Sequence, residues 1–243
     1  GTLSIQSEQK EGAPKAADGM ILFISALGFL PGILWLIFFY RKDSVEPEPT
    51  KLIFKAYFQG MFVVGAVAVV AAPFSFNEFF SAVFVAPIVE ELLKFLAVFL
   101  FVFRTREFDE PMDGIIYAVS VALGFASLEN AFYLYEAHKN DQVGWTFVLR
   151  GLLSVPGHAL FSSIWGNALG VLKFNPQRQG FVLSSLLVAM LCHGIFNLLC
   201  LLYLGFGVLM ILFVSYSWKR FNRSVNKALL DSPHRCSRRE AMR

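Results

Sequence analysis

The sequence predicts an all-α polytopic membrane protein, a bundle of about seven transmembrane helices with its N-terminus outside and its C-terminus cytoplasmic. Three observations carry this expectation. Of 243 residues, 56% are hydrophobic and only 16% charged, whereas a soluble domain has about 45–50% apolar and about 25% charged residues. The apolar residues fall into runs of the length that crosses about 30 Å of hydrocarbon. The basic residues between those runs gather on one side. A chain of this composition has too little polar surface to cover a globule in water, which excludes a free cytosolic enzyme, a disordered chain and a disulfide scaffold.

The first nineteen residues are polar and lack the pattern of a cleavable signal peptide. They are expected to be a mobile segment, and Gly1-Thr2 without a Met reads as a trimmed or processed end. Apolar runs follow at 20–40, 52–72, 79–103, 113–137, 146–172, 180–203 and 205–218, the last being short. None alternates with a period of two, which argues against a β-barrel. The domain organisation expected is therefore 1–19 polar segment, 20–218 membrane domain and 219–243 basic tail. On this count Lys10, Lys15 and Lys139 lie on one side, against 15 Lys and Arg on the other, from Arg41 to Arg243. Basic loops stay cytoplasmic, which sets the orientation. The tail is expected to meet anionic lipid. It lacks aromatic or motif support for nucleic acid, which is not an expected partner. Cys192, Cys200 and Cys236 form no CxxC pair and read as small hydrophobes.

Ionisable groups inside hydrocarbon cost several kcal/mol each and mark a functional site by default. Here they are Lys55, Glu90, Glu91, Lys94, Glu129, Arg150, His158 and His193. Lys55 and Arg150 lie near span ends and are expected to snorkel outward. Glu90, Glu129, His158 and His193 come from four different runs, yet all lie roughly 12–18 Å below the outer face. One polar cavity is the expected consequence. Glu90 and Lys94 are four apart, in the favourable order for an ion pair on one helical face. That pair leaves Glu91 over, and two adjacent carboxylates in low dielectric do not both ionise cheaply. A carboxylate so placed suits a general base or acid. The competing reading is an ion pair that holds helices together.

His193 and Asn197 are also four apart and share a face, where two donors can bind an oxyanion. An interhelical polar clamp is the alternative. His158 follows Pro156-Gly157, a kink signal. Glu129-Asn130 follows Gly124-Phe125-Ala126, whose small residues permit close helix approach, and Glu129 is placed to orient a histidine. No HExxH is present, and no serine-nucleophile element with a credible base. Asp113 stands without an intramembrane aspartate partner.

Six motifs lie in one order. They are Lys42-Asp43 with Glu46-Pro47-Glu48-Pro49, Glu90-Glu91-Leu92-Leu93-Lys94, Phe108-Asp109-Glu110-Pro111-Met112-Asp113-Gly114, Gly124-Phe125-Ala126-Ser127-Leu128-Glu129-Asn130, His158-Ala159-Leu160 and His193-Gly194-Ile195-Phe196-Asn197. In these the chain resembles the PrsW family of intramembrane proteases, within the CAAX-prenyl-protease and bacteriocin-processing superfamily. The resemblance runs from Pro31-Gly32 to about Trp218. It implies peptide-bond hydrolysis in a membrane-anchored protein such as an anti-sigma factor, with activity depending on Glu90, Glu91 and His193. It also implies a bacterial inner-membrane location. Glu90, helped by His158, would activate a water without a cofactor, while His193 and Asn197 would stabilise the oxyanion, with Lys94, Glu129 and Asn130 in support. Family members often have Asp where this chain has Asn197, which cannot be a base. Two other readings use the same cavity: a zinc protease with ligands among Glu90, Glu91, Glu129, His158 and His193, and a non-enzymatic transporter or binding module. Residue types and spacing do not choose between Glu90 and Glu91 as the base.

Overall fold

In a computed structural model the backbone is described for residues 2–235, and side chains for 19–202 and 207–235. Arg238, Arg239, Arg243 and Cys236 lie outside the described residues. The described chain is helical: α1 (Thr2–Tyr40), α2 (Thr50–Ala71), α3 (Glu78–Phe80), α4 (Ala86–Phe101), α5 (Pro111–His138), α6 (Val143–Leu149), α7 (Val155–Phe174), α8 (Gln179–Leu201) and α9 (Tyr203–Leu230). The segment expected to be mobile is thus helical backbone continuous with the first span.

Five helical stretches are long and apolar enough to cross a membrane: Gly19–Tyr40, Thr50–Phe74, Pro111–His138, Val143–Phe174 and Pro176–Leu201. They match five of the seven apolar runs. The 79–103 run is also one helical rod, from α3 through a π-helical turn at Ser81–Val85 into α4. Every membrane-length window of it contains three charged residues, Glu90, Glu91 and Lys94, so it differs from the five spans in buried charge rather than in apolar length. The last run is the first half of α9, which continues to Leu230. The expected basic tail therefore begins inside a helix, and Phe221, Val225 and Ala228 bury one face of it against the bundle.

Helix α5 is the axis. Its most apolar window is 83% buried, against 28% for the first span, so α1 borders lipid while α5 is enclosed by protein. Small residues let backbones meet along it, the usual basis of helix packing in membranes. A Cβ on Gly166 of α7 would run into the Gly114 carbonyl of α5. Outward-facing Phe62, Phe76, Leu183, Leu191 and Ile211 leave an apolar perimeter for lipid.

Two five-residue π turns, Ser81–Val85 and Arg150–Ser154, precede Pro87 and Pro156. Proline lacks the N–H and crowds the carbonyl one turn back, and the wider turn absorbs that misfit. The kink expected near Pro156-Gly157 is the second of these turns. Backbone carbonyls freed inside a membrane need a partner from the protein. Asn197 Nδ2 donates to Ala82 O at 2.8 Å, and Trp35 Nε1 to Gly151 O at 2.8 Å.

Candidate active site

The four-helix polar layer expected from the sequence is one contiguous cluster. It draws Glu90, Glu91 and Lys94 from α4, Glu129 from α5, His158 from α7 and His193 from α8. Lys94 Nζ lies at its centre, 3.2 Å from Glu90 Oε2, 3.1 Å from Glu91 Oε1 and 3.0 Å from His158 Nδ1. Its fourth neighbour is the Phe125 ring, with the centroid 4.0 Å away. Lys94 therefore serves both carboxylates, and Glu91 is not left over as the spacing suggested.

The two glutamates differ in their surroundings. Glu91 is fully buried and accepts from four donors: Ser162 Oγ at 2.7 Å, Trp165 Nε1 at 2.9 Å, Lys94 Nζ at 3.1 Å and His193 Nδ1 at 3.2 Å. Glu90 is 6% exposed and its hydrogen bond is from Lys94. Its Oε2 stands 3.8 Å from His158 Nδ1 and 3.9 Å from His193 Nε2, too far for direct hydrogen bonds. The imidazoles meet edge to face with centroids 4.9 Å apart, and Phe161 packs on His193 at 5.6 Å.

Partner chemistry sets the tautomers. His158 Nδ1 accepts from Lys94, so its Nε2–H donates to Glu129 Oε2 at 3.2 Å. His193 Nδ1–H donates to Glu91, which leaves its Nε2 turned towards Glu90. Glu129 is thus in hydrogen-bond contact with the His158 ring, a position from which it can orient it. Arg150 does not snorkel: its guanidinium pairs with Glu129 Oε2 at 2.5 Å and with Asn130 Oδ1 at 3.0 Å. Asn130 Nδ2 in turn ties to Gly28 O of α1 at 2.9 Å. His193 and Asn197 share a face in sequence but meet different partners. His193 points into the cluster, while Asn197 donates to Ala82 O. Ser162 and Trp165 lie four and seven residues after His158, so helical spacing alone marks them as facing the same cavity. No sequence signal ties Arg150 to Glu129.

A second polar cluster lies at the end of the bundle that carries the 41–49 and 102–110 connections. It joins Asp43, Glu48, Glu110, Asp113 and Tyr117, with Ser232 donating to Glu110. Asp113, which seemed isolated in sequence, is one member. Burial, with repulsion from Glu110 and Asp113, pushes the Asp43 carboxyl up to about 8. Burial also raises Glu48 to about 7 against a hydrogen bond from Tyr117, and raises Glu110.

The sequence profile of a family described as "PrsW family intramembrane metalloprotease" matches residues 48–218, which takes in every residue of the buried cluster. The chain belongs to the PrsW family. It is 36% identical over 220 residues to a protein named Protease PrsW from Geobacillus kaustophilus, covering 86% of this chain and 93% of that one. The Protease PrsW of Bacillus subtilis is 33% identical over 86% of this chain and 96% of its own length. That of Clostridioides difficile is 29% identical over 82% and 89% respectively. No solved structure matches the chain significantly.

The family description implies a metal, and the cluster allows the fit to be judged. Glu90, His158 and His193 each offer one ligand atom, all within 4.8 Å of one another, and two His with a carboxylate is a known catalytic zinc set. Lys94 disturbs it. Its ammonium donates to His158 Nδ1 and to Glu90 Oε2, taking lone pairs that a metal would need and placing a positive charge beside the ion. With Lys94 where it is, His158 Nδ1 is occupied, so in this arrangement of the PrsW cluster only Glu90 and His193 Nε2 keep an open ligand atom.

Proposed function

We propose that this PrsW-family protein is an intramembrane endopeptidase in which Glu90 activates a water, and that it cleaves a membrane-anchored protein at the bacterial inner membrane. The observation that carries this reading is the contrast between the glutamates. Glu91 is saturated by four donors, whereas Glu90 faces His193 Nε2 across 3.9 Å with one donor of its own. A carboxylate whose lone pairs are all taken cannot accept a further proton without breaking a bond, so the base is Glu90.

Charge supports the roles. Three carboxylates, Glu90, Glu91 and Glu129, meet two cations, Lys94 and Arg150, and the proposed mechanism places the one balancing proton on His193. Glu91 holds the Nδ1–H of that imidazolium, and its Nε2–H points towards Glu90. A water there accepts from His193 and donates to Glu90. When its oxygen adds to the scissile carbonyl carbon, its proton passes to Glu90. The carbonyl oxygen gains the negative charge and accepts from His193 Nε2–H. Glu90 then delivers the proton to the leaving amine as the C–N bond breaks. Lys94 fixes the Glu90 carboxylate, while Glu129 and Arg150 fix His158. Asn197 acts on the wall of the site, through the π turn. A single-pass regulator of the anti-sigma type is the substrate class the resemblance suggests.

The test is metal content per chain, alongside cleavage of a transmembrane peptide, in protein purified in detergent. Chelator-dialysed wild type is expected to hold well under one zinc and to cleave, and Glu90→Gln to be inactive. About one zinc per chain, lost together with activity in Glu90→Ala and His193→Ala, would overturn the glutamate mechanism and make those residues ligands.

A further inference from the structure

We propose that Asp43, Glu110 and Asp113 form a second site, an all-oxygen seat for a hard divalent cation, Mg2+ or Ca2+, that clamps the α1–α2 connection to the start of α5. The three carboxylates are 3%, 0% and 0% exposed, and each offers an oxygen within 4.8 Å of the other two. Both Asp43 oxygens, Glu110 Oε1 and Asp113 Oδ1 are buried without a hydrogen-bond partner.

The remaining oxygens show why these are left over. Asp113 Oδ2 accepts from the Asp109 and Glu110 backbone N–H groups at 2.7 Å each, one half of the capping box that starts α5. Glu110 Oε2 accepts from Ser232 Oγ. Folding thus pins one oxygen of Glu110 and one of Asp113 and leaves the other of each without a hydrogen-bond partner, close to Asp43, with the Glu48 carboxylate also beside Asp113. Among the described residues, no Lys or Arg forms an ion pair with any of the three. Buried carboxylates without a counter-charge are costly, and a cation converts that cost into ligation.

The donor set selects the ion. Carboxylate oxygens alone suit Mg2+ or Ca2+, whereas zinc and copper favour nitrogen or sulfur. Oxygens up to 4.8 Å apart suit an ion with metal–oxygen distances of about 2.3–2.6 Å, those of Ca2+, whereas Mg2+ at about 2.0–2.1 Å would need the widest pair to close by about 0.6–0.8 Å. The catalytic cluster differs in having its own lysine. The competing state is one in which the carboxyls share protons, Asp43 with Glu110, and bind no metal.

The test is equilibrium dialysis of the EDTA-stripped full chain in detergent against MgCl2 or CaCl2, with thermal unfolding in parallel. Saturable uptake of one ion per chain is expected, with a Tm that starts to rise near the dissociation constant and keeps climbing with the logarithm of ion concentration. Asp43→Asn and Glu110→Gln should each weaken uptake at least tenfold, whereas Glu90→Gln should leave it unchanged. Whichever salt gives the tighter uptake identifies the ion. Folded wild type that takes up neither ion to about 10 mM would overturn the proposal in favour of shared protons. Uptake unchanged in both carboxylate variants would overturn it by placing the ion elsewhere. Because the readout is binding, these outcomes do not depend on Glu90 being the catalytic base.

Discussion

Replacing Glu90 and Glu91, one at a time, by glutamine separates a base from a positioning residue. Either change removes one negative charge from the same cluster and leaves Lys94 one carboxylate partner, so net charge does not distinguish them. Hydrogen bonding does. Glu91 receives Lys94 and His193 on Oε1, and Ser162 and Trp165 on Oε2. In Glu91→Gln the amide nitrogen must face one of these pairs. Turned to Oε2 it meets the Trp165 N–H, and turned to Oε1 it meets two donors that are charged in the mechanism above. A buried donor left without an acceptor costs about 1–3 kcal/mol, and breaking a buried ion pair about 3–5 kcal/mol. Glu91→Gln should therefore cost roughly 3–5 kcal/mol, or about 10 °C in Tm. It should also lose cleavage, because His193 loses the partner that orients it. Glu90→Gln keeps its amide oxygen for Lys94 at 3.2 Å and disturbs no other direct bond. It loses the charge of its own Lys94 pair, as Glu91→Gln does, but leaves no buried donor without an acceptor, so it should cost about 1–3 kcal/mol less than Glu91→Gln while abolishing cleavage. The assay is thermal unfolding in detergent with cleavage of a transmembrane peptide in liposomes. Equal destabilisation by the two variants, or cleavage by Glu90→Gln, would refute the assignment of roles.

Three further outcomes follow from the same geometry. Gly194→Ala puts a Cβ 2.6 Å from the Val83 carbonyl in the first π turn, so α8 must move and carry His193 with it. Cleavage should fall at least tenfold (about 1.4 kcal/mol in the barrier), and wild-type kinetics would show that the α8–π turn contact does not set the site. Trp35→Phe removes the donor to Gly151 O and should destabilise by about 1–3 kcal/mol by leaving that carbonyl unpaired, as read by chemical unfolding. An unchanged midpoint would show that the carbonyl finds another partner. Arg150→Met strips Glu129 of its cation in a mostly buried setting, with side chains 13% and 21% exposed, and should cost about 3 kcal/mol. Arg150→Lys should recover only part of this, since one ammonium does not reproduce the fork shared by Glu129 and Asn130. Full recovery would show that charge alone matters there.

Composition and apolar run length determined that this chain is a helical membrane protein, because hydrocarbon admits few other solutions for a backbone with no water to bond. The same constraint made the site legible: Glu90, Glu91, Glu129, His158 and His193 stood out because ionisable groups are rare in such runs. Their common depth foretold one cluster, since a helix fixes height along its axis by residue count. Height is all that count fixes. Rotation about the axis and the identity of neighbours come from packing, which is why Arg150 looked free to reach the surface and is instead held by Glu129. It is also why His193 and Asn197, on one face of α8, meet different partners, and why Lys94 turned out to serve both glutamates. Asp43 and Asp113 are 70 residues apart and unremarkable as sequence. Only the folding of the α1–α2 connection onto the start of α5 buries them together and leaves their oxygens without partners.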